Sequence, residues 1–365
     1  MVFRSNGINS SEKYLQNLCE RSFLKLWSYP GIYRKKIDSE SKIIGKEVCD
    51  LLVVFENHII IFSDKNISFP NTGDIDLDWS RWVRKAVLES GKQVYGAERW
   101  IRNYPNNLFL DQQCRRIFPL DFPDMSIVKF HRIVVAHGSS ERCKSYLGGS
   151  GSLMINSNII GTDHLLKISE GGQPFTVGQI DPQRGFIHIL DDTTLNILLT
   201  TLDTVYEFIS YLDKKESLIR SKIAIFATGE ENLLAYYFSN LNDRGEHDFI
   251  IDSNVDAIGI DEGFWTEFST SAARQSQIEA NKISYAWDSL IETFSNQLFA
   301  ISSIEKNNDE IKNLEKVLRF FARESRTERR LLAKLLGEML DYRFSKLRFV
   351  RVIIPKNQND PYFFF

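Results

Sequence analysis

Val48-Cys49-Asp50-Leu51-Leu52-Val53-Val54-Phe55, the pair Glu56-Asn57, and His58-Ile59-Ile60-Ile61-Phe62-Ser63-Asp64-Lys65 form the stretch on which the fold turns. Two apolar, β-branched runs flank a two-residue polar break, which predicts two strands around a tight turn. Asp50 opens the first strand's apolar stretch and Asp64-Lys65 closes its partner. Charge at the end of a buried strand is costly unless it is paired or used. One use is metal-assisted phosphodiester hydrolysis, in which carboxylates hold Mg²⁺ (or Mn²⁺) and a lysine supports the attacking hydroxide. The plain alternative is a structural ion pair between Asp50 and Lys65 at the sheet end.

Before this hairpin, Tyr14, Leu15, Leu18, Phe23, Leu26 and Trp27 recur at helical spacing behind Ser10-Ser11 and Glu12, and Pro30-Gly31 stops the pattern. Glu20 on that helix offers a further carboxylate. Ile32–Ile37 reads as a short strand. After the hairpin, Trp79–Arg102 reads as an amphipathic helix and Ile127–Ala136 as another strand. The helix is net basic, with Arg81, Arg84, Lys85, Lys92, Arg99 and Arg102 against Glu89 and Glu98, and Trp79, Trp82, Tyr95 and Trp100 are interleaved. Such cations suit phosphates and such aromatics suit bases, although tryptophans at helical spacing are more often core. Gln93 lies where it can reach the strand ends.

The resulting order of helix, three strands, helix and strand, with Glu20, Asp50 and Ser63-Asp64-Lys65 in place, resembles the PD-(D/E)XK, or restriction-endonuclease-like, nuclease superfamily over residues 10–137. The resemblance implies an α/β fold with an αβββαβ core. It makes Asp50 the first motif aspartate, Lys65 the motif lysine and Glu20 the acid of the first helix. The pattern departs at one point, because the acid expected two residues before the lysine is Ser63. Strand alternation sends Ser63 and Lys65 to one face and Asp64 to the other unless the strand bulges. Either Asp64 or Glu47 then stands in as metal ligand, or the metal is held weakly, or the site is degenerate.

The chain's 365 residues are 43% hydrophobic and 25% charged, which excludes a largely disordered protein. Its net charge of -3 hides a strong segregation. Residues 1–159 carry 22 basic and 17 acidic side chains, residues 160–310 carry 10 and 25, and residues 311–365 carry 13 and 6. Two basic ends around an acidic middle suggest either a polyanion partner or ends that dock on the middle. Cys19, Cys49, Cys114 and Cys143 form no CxxC pair, so neither a zinc site nor a disulfide framework is expected, and a reducing cytoplasm fits. No apolar run reaches about 18 residues and the N-terminus has no apolar signal region, so no membrane partner is expected.

The Gly/Ser-rich stretch 138–152 is the expected boundary, a flexible linker before an α+β domain spanning 153–365. Its Gly148-Gly149-Ser150-Gly151-Ser152 fits neither a phosphate loop nor a nucleophile elbow. Beyond it, Phe175–Ile180 and Phe186–Leu190 read as a hairpin, Lys222–Ala227 and Leu347–Ile354 as strands, and Thr193–Asp213, Glu230–Asn240, Ile278–Ser303 and Glu310–Arg343 as helices. Thr228 and Glu231 suggest a capping box, and Asp191-Asp192 a helix start. Arg319, Arg323, Arg326, Arg329, Arg330 and Lys334 form a stripe that reads as a solvated face or a nucleic-acid-facing one. The six histidines show no ligand spacing, and His131 and His188 read as structural. The chain stops on Pro361-Tyr362-Phe363-Phe364-Phe365 as though within a strand, so the natural protein is expected to continue.

Together these residues and the resemblance lead us to expect a Mg²⁺-dependent endonuclease acting on DNA, or on RNA. Asp50, Glu20, Asp64 and Glu47 are the expected metal ligands, Lys65 is the catalytic lysine and Ser63 stands at the missing acid. The whole chain is similar to large bacterial proteins, which implies a role in antiviral defence, alone or in a homo-oligomer or larger complex. The alternatives are a nucleic-acid-binding or scaffold protein on a degenerate nuclease fold, and a helical interaction module working through the acidic 160–310 segment.

Overall fold

The structure is a computed structural model that describes residues 6–37, 43–252, 254–301, 308–342, 351–353 and 362–364. The described residues divide into two compact units, one within 3–202 and 208–269, the other within 203–207 and 270–365.

The first unit begins with α1 (Ser10–Phe23), capped by Asn9, whose side chain accepts from the Glu12 N–H. Three strands follow: β1 (Ser28–Ile37), β2 (Ile43–Phe55) and β3 (His58–Asn66). The expected hairpin forms with Phe55 opposite His58, and the register runs on to Leu51 opposite Phe62. Glu56 takes a φ of 49° in the tight turn. Then come α2 (Ile75–Val83), a π-helical turn over Arg84–Leu88, α3 (Glu89–Asn103) and β4 (Lys129–His137). The single helix expected over Trp79–Arg102 therefore starts earlier, at Asp74, whose carboxylate accepts from the Leu77 N–H, and is interrupted by the π turn.

β1, β2 and β3 pair antiparallel, and β3 pairs parallel with β4. A fifth strand, β7 (Ile187–Asp191), pairs parallel with β4 and completes the order β1-β2-β3-β4-β7. Ile59 through Ser63 on β3 and Phe130 through Ala136 on β4 are all buried, because both faces of the sheet are covered. On one face Ile59, Ile61, Val134 and Ile189 join Trp79, Trp82, Val83 and Val94 in a single core. On the other, Phe62 packs near Phe23 and Phe208, with ring centroids 6.3 and 6.4 Å away.

The segment 138–152, expected as a flexible linker, lies inside this unit. It begins with α4 (Ser140–Leu147) and then turns through Gly148, Gly149 and Gly151 at φ of 84°, 67° and 87°, so its glycines serve a left-handed turn. A Cβ on Gly151 would lie 2.6 Å from the Ser140 carbonyl oxygen. The chain then crosses to a second sheet and returns as β7, so the proposed 153–365 domain begins within the first core. That second sheet has the order β6-β5-β8-β9, from β5 (Met154–Ile160), β6 (Thr176–Gln179), β8 (Ala224–Ala227) and β9 (Ala257–Ile260). The hairpin expected from Phe175–Ile180 and Phe186–Leu190 does not form, because β6 and β7 belong to different sheets.

The helix expected over Thr193–Asp213 is two helices, α5 (Thr194–Thr201) and α6 (Val205–Ile219). Asp191 starts α5 as expected, its Oδ1 accepting from the Thr193 and Thr194 N–H groups. α7 (Glu230–Ser239) is preceded by Gly229 and has no side-chain cap, so the Thr228–Glu231 box is absent. Instead Glu231 accepts from the Ser150 hydroxyl at 2.6 Å. α8 (Phe264–Thr270) follows β9. The acidic segment thus contributes strands as well as helices.

The second unit contains α9 (Ala272–Asn281), α10 (Tyr285–Ile301), α11 (Asn308–Ala322) and α12 (Arg326–Tyr342), with β10 (Arg351–Ile353) antiparallel to β11 (Tyr362–Phe364). Part of the expected strand Leu347–Ile354 lies outside the described residues. The arginine stripe is also corrected. The helix breaks between α11 and α12, and Arg326 and Arg329 turn inward. Arg326 meets Asp203 at 2.9 Å and Asp288 at 2.7 Å, and Arg329 meets the other oxygen of Asp288 at 2.7 Å. Lys334 remains exposed. Removing one partner of such a network strands the rest as buried charge. Asp288→Ala is therefore expected to destabilise this unit by about 3–5 kcal/mol, and Lys334→Ala to change it by less than about 0.5 kcal/mol, in urea unfolding followed by circular dichroism.

Candidate functional site

β2 and β3 deliver the site at the carboxyl end of β3. The register that sets Leu51 against Phe62 brings Asp50 beside Ser63-Asp64. The Asp64 backbone N–H donates to Asp50 Oδ2 at 2.6 Å. Ser63 is buried on the α3 side, where its hydroxyl donates to Gln93 Oε1 at 3.1 Å, so Gln93 does reach the strand ends. Burial pushes the Asp50 carboxyl up, the Asp64 N–H pulls it down, and the charges of Asp64 and Glu12 raise it again, for a value of about 6.

Asp64 goes the other way, as strand alternation requires. Its carboxylate is buried, accepting from Ser11 Oγ at 2.5 Å on α1 and lying 2.7 Å from His137 Nε2 at the end of β4. The other ring nitrogen of His137 lies 2.7 Å from Asp192. Asp192 also accepts from the Gly138 N–H at 2.8 Å. Gly138 is required there: its φ is 94°, and a Cβ would lie 2.2 Å from the Ile67 carbonyl oxygen. The Trp82 indole N–H bridges the carbonyls of Ile67 and His137 at 3.3 and 3.2 Å, tying the same two strand ends to α2. Burial opposes charge on His137, but hydrogen bonds to Asp192 and Asp64 outweigh it and raise its value to about 9. The imidazolium thus donates to both carboxylates.

Asp50, Ser63 and Lys65 line a cleft of about 930 Å³ together with Glu12, Glu47, Gln93, Arg34, Lys46, Lys92, Arg99, Trp100 and Tyr104. Lys65 is half-buried and makes no ion pair with Asp50, so the structural pairing of these two does not form. Glu47 lies on the exposed rim, raised to about 7 by desolvation and then by Asp50 and Glu12, an influence that salt weakens at such a position. Of the α1 acids, Glu12 lines the cleft and Glu20 does not; Glu20 accepts from Gln16 Nε2 at 2.7 Å. Glu12 doubles as a cap, accepting from the Ile8 N–H at 2.6 Å. Trp79, Trp82 and Tyr95 are core, and among the helix aromatics singled out from the sequence Trp100 alone faces the cleft.

Among the described residues no three His, Cys, Asp or Glu side chains converge to hold a metal ion. The expected set of Asp50, Glu20, Asp64 and Glu47 does not assemble, because the carboxylate of Asp64 is engaged by Ser11 and His137 and Glu20 lies away from the cleft. Asp50 and Glu47 remain. That donor set fits a Mg²⁺ that keeps several waters and shares a phosphate, and does not fit a closed protein cage. Glu12, Arg34, Tyr104 and the His137–Asp192 pair were not singled out from sequence. Only Glu12 had a local signal, the Asn9–Glu12 capping spacing.

All four cysteines are free and buried. No helix among the described residues is long and apolar enough to cross a membrane. Comparison with known proteins finds no matching family, no similar curated protein and no similar solved structure.

The His137 clamp gives the fold a pH signature. Its folded value of about 9 exceeds the free value of 6.5, so its stabilisation is full below 6.5 and is lost as pH rises through about 9. The stability advantage of wild type over His137→Gln should shrink across that window by on the order of 2–3 kcal/mol in urea titrations. An advantage constant with pH would exclude a charged His137.

Proposed function

We propose that this protein is a Mg²⁺-dependent nuclease acting on DNA, of the PD-(D/E)XK type. One observation carries the proposal: Asp50 and Lys65, from adjacent strands, line one cleft without neutralising each other, among the phosphate-matching cations Arg34, Lys46, Lys92 and Arg99. The element order Ser10–His137 supports it as well. Asp50, with Glu47, would hold the metal, which when bound offsets phosphate charge and lowers the pKa of a coordinated water. Lys65 would stabilise charge developing on the attacked phosphate. Ser63 leaves the motif acid unfilled and, through Gln93, ties β3 to α3. The basic walls would hold the strand. A cytoplasmic role in defence against foreign DNA, alone or in a complex, belongs to this proposal and rests on the resemblance.

The second reading is a nucleic-acid-binding or scaffold protein using the same cleft without cleavage. Ser63 at the acid position and the inward turn of Asp64 favour it.

Plasmid and oligonucleotide substrates incubated with Mg²⁺ or Mn²⁺ separate the two. On the nuclease reading wild type cleaves, Asp50→Ala and Lys65→Ala lose activity by at least about 100-fold, and Glu20→Ala stays within a few-fold of wild type. Cleavage that survives both Asp50→Ala and Lys65→Ala would sink the site, and binding without cleavage would select the second reading.

A further inference from the structure

The same cleft contains a stack that phosphodiester chemistry does not need. Arg34, on β1 in register with Lys46, places its guanidinium 4.1 Å from the centre of the Trp100 ring. Trp100 and Tyr104 follow each other at the end of α3, with ring centroids 4.6 Å apart and planes inclined by 41°. The Trp100 indole N–H donates to the Asn107 carbonyl at 3.4 Å, and the Tyr104 N–H donates to the Trp100 carbonyl at 2.8 Å, closing the helix. Both neighbours of Trp100 are thereby placed, while Tyr104 is 52% exposed. Trp100 packs against the core beneath it, whereas the Tyr104 ring stands out of that core. Along α3 the residues Lys92, Gly96, Arg99 and Asn103 also line the cleft, at the i, i+4, i+7 and i+11 spacing of one helix face. A row of cleft-lining positions that includes the cations Lys92 and Arg99 therefore runs along the same helix to the ring.

A π face beside cations matches a nucleotide whose base is free to stack. In a duplex each base already stacks on its neighbours, so no interior base offers a face without being flipped out. A cleft of about 930 Å³ lies in the size range of small-ligand sites. We propose that Tyr104, propped by Trp100 and Arg34, is a stacking platform for an unpaired base, and that the cleft takes single-stranded rather than duplex DNA. This rests on the cleft being a nucleic-acid site, as proposed above.

Fluorescence anisotropy of the full chain in EDTA tests it, with a labelled oligothymidylate of about 12 nucleotides, an abasic strand of equal length and a blunt duplex as probes. Wild type is expected to bind oligothymidylate at least about tenfold more tightly than either of the others. Tyr104→Ala should weaken that binding by roughly 5- to 150-fold, towards the abasic level, with abasic binding unchanged and Tyr104→Phe near wild type. Lys92→Ala should weaken oligothymidylate and abasic strand alike and flatten the salt dependence. Because Tyr104 is largely exposed, an unchanged circular dichroism melt will confirm that the variant folds. Oligothymidylate binding indifferent to Tyr104→Ala, or duplex preferred, would overturn the platform and leave the nuclease reading standing. Wild type that binds none of the probes would overturn both.

Discussion

Side chains on a strand alternate, and on a sheet covered on both faces that alternation cannot be relaxed by solvent. Along β3 it sends Ser63 and Lys65 toward α3 and the cleft, and Asp64 into the interior against α1 and β4. The rest of the site follows from this split. Asp64 cannot serve as a cleft ligand, so its charge must be met inside, and His137 meets it. Asp50 accepts from the backbone N–H of Asp64 and stays with Lys65 on the cleft side.

A buried carboxylate without a partner would cost several kcal/mol, and a buried imidazolium would cost as much. Together, flanked by Asp192 and Ser11, they link the ends of β3, β4 and β7 to α1. Trp82 grips the same ends through the carbonyls of Ile67 and His137. The peptide that orients Asp50 is thus held by contacts lying outside the cleft. The candidate chemistry and the packing of the sheet share one residue, Asp64, through its backbone on one side and its carboxylate on the other.

What was legible in the sequence is what a local period encodes. The apolar runs around Glu56-Asn57 specify the hairpin, and the period of two specifies where Asp64 points. Contacts between distant segments were not legible. His137 meets Asp64 across 73 residues, and β7 joins the first sheet only after an excursion into the second. The Gly/Ser stretch looked like a linker because glycines that permit a left-handed turn have the same composition as glycines that permit disorder. The arginines near the C-terminus looked like a stripe because their acidic partners, Asp203 and Asp288, lie far upstream.

The α1 acid shows the limit most sharply. Glu12, Gln16 and Glu20 stand at i, i+4 and i+8, so they descend nearly one side of the helix, and Gln16 donates to Glu20. Helical periodicity fixes the side on which a residue sits. It says nothing about how far along the axis the cleft lies. Eight residues of helix span about 12 Å, more than the reach of any carboxylate. The choice between Glu12 and Glu20 is therefore made by where the N-terminus of α1 meets the open end of the sheet, a distance that no period contains. In this protein Glu12 stands at the cleft, and with its carboxylate already accepting from the Ile8 N–H it completes the cap of α1 while lending its charge to Asp50.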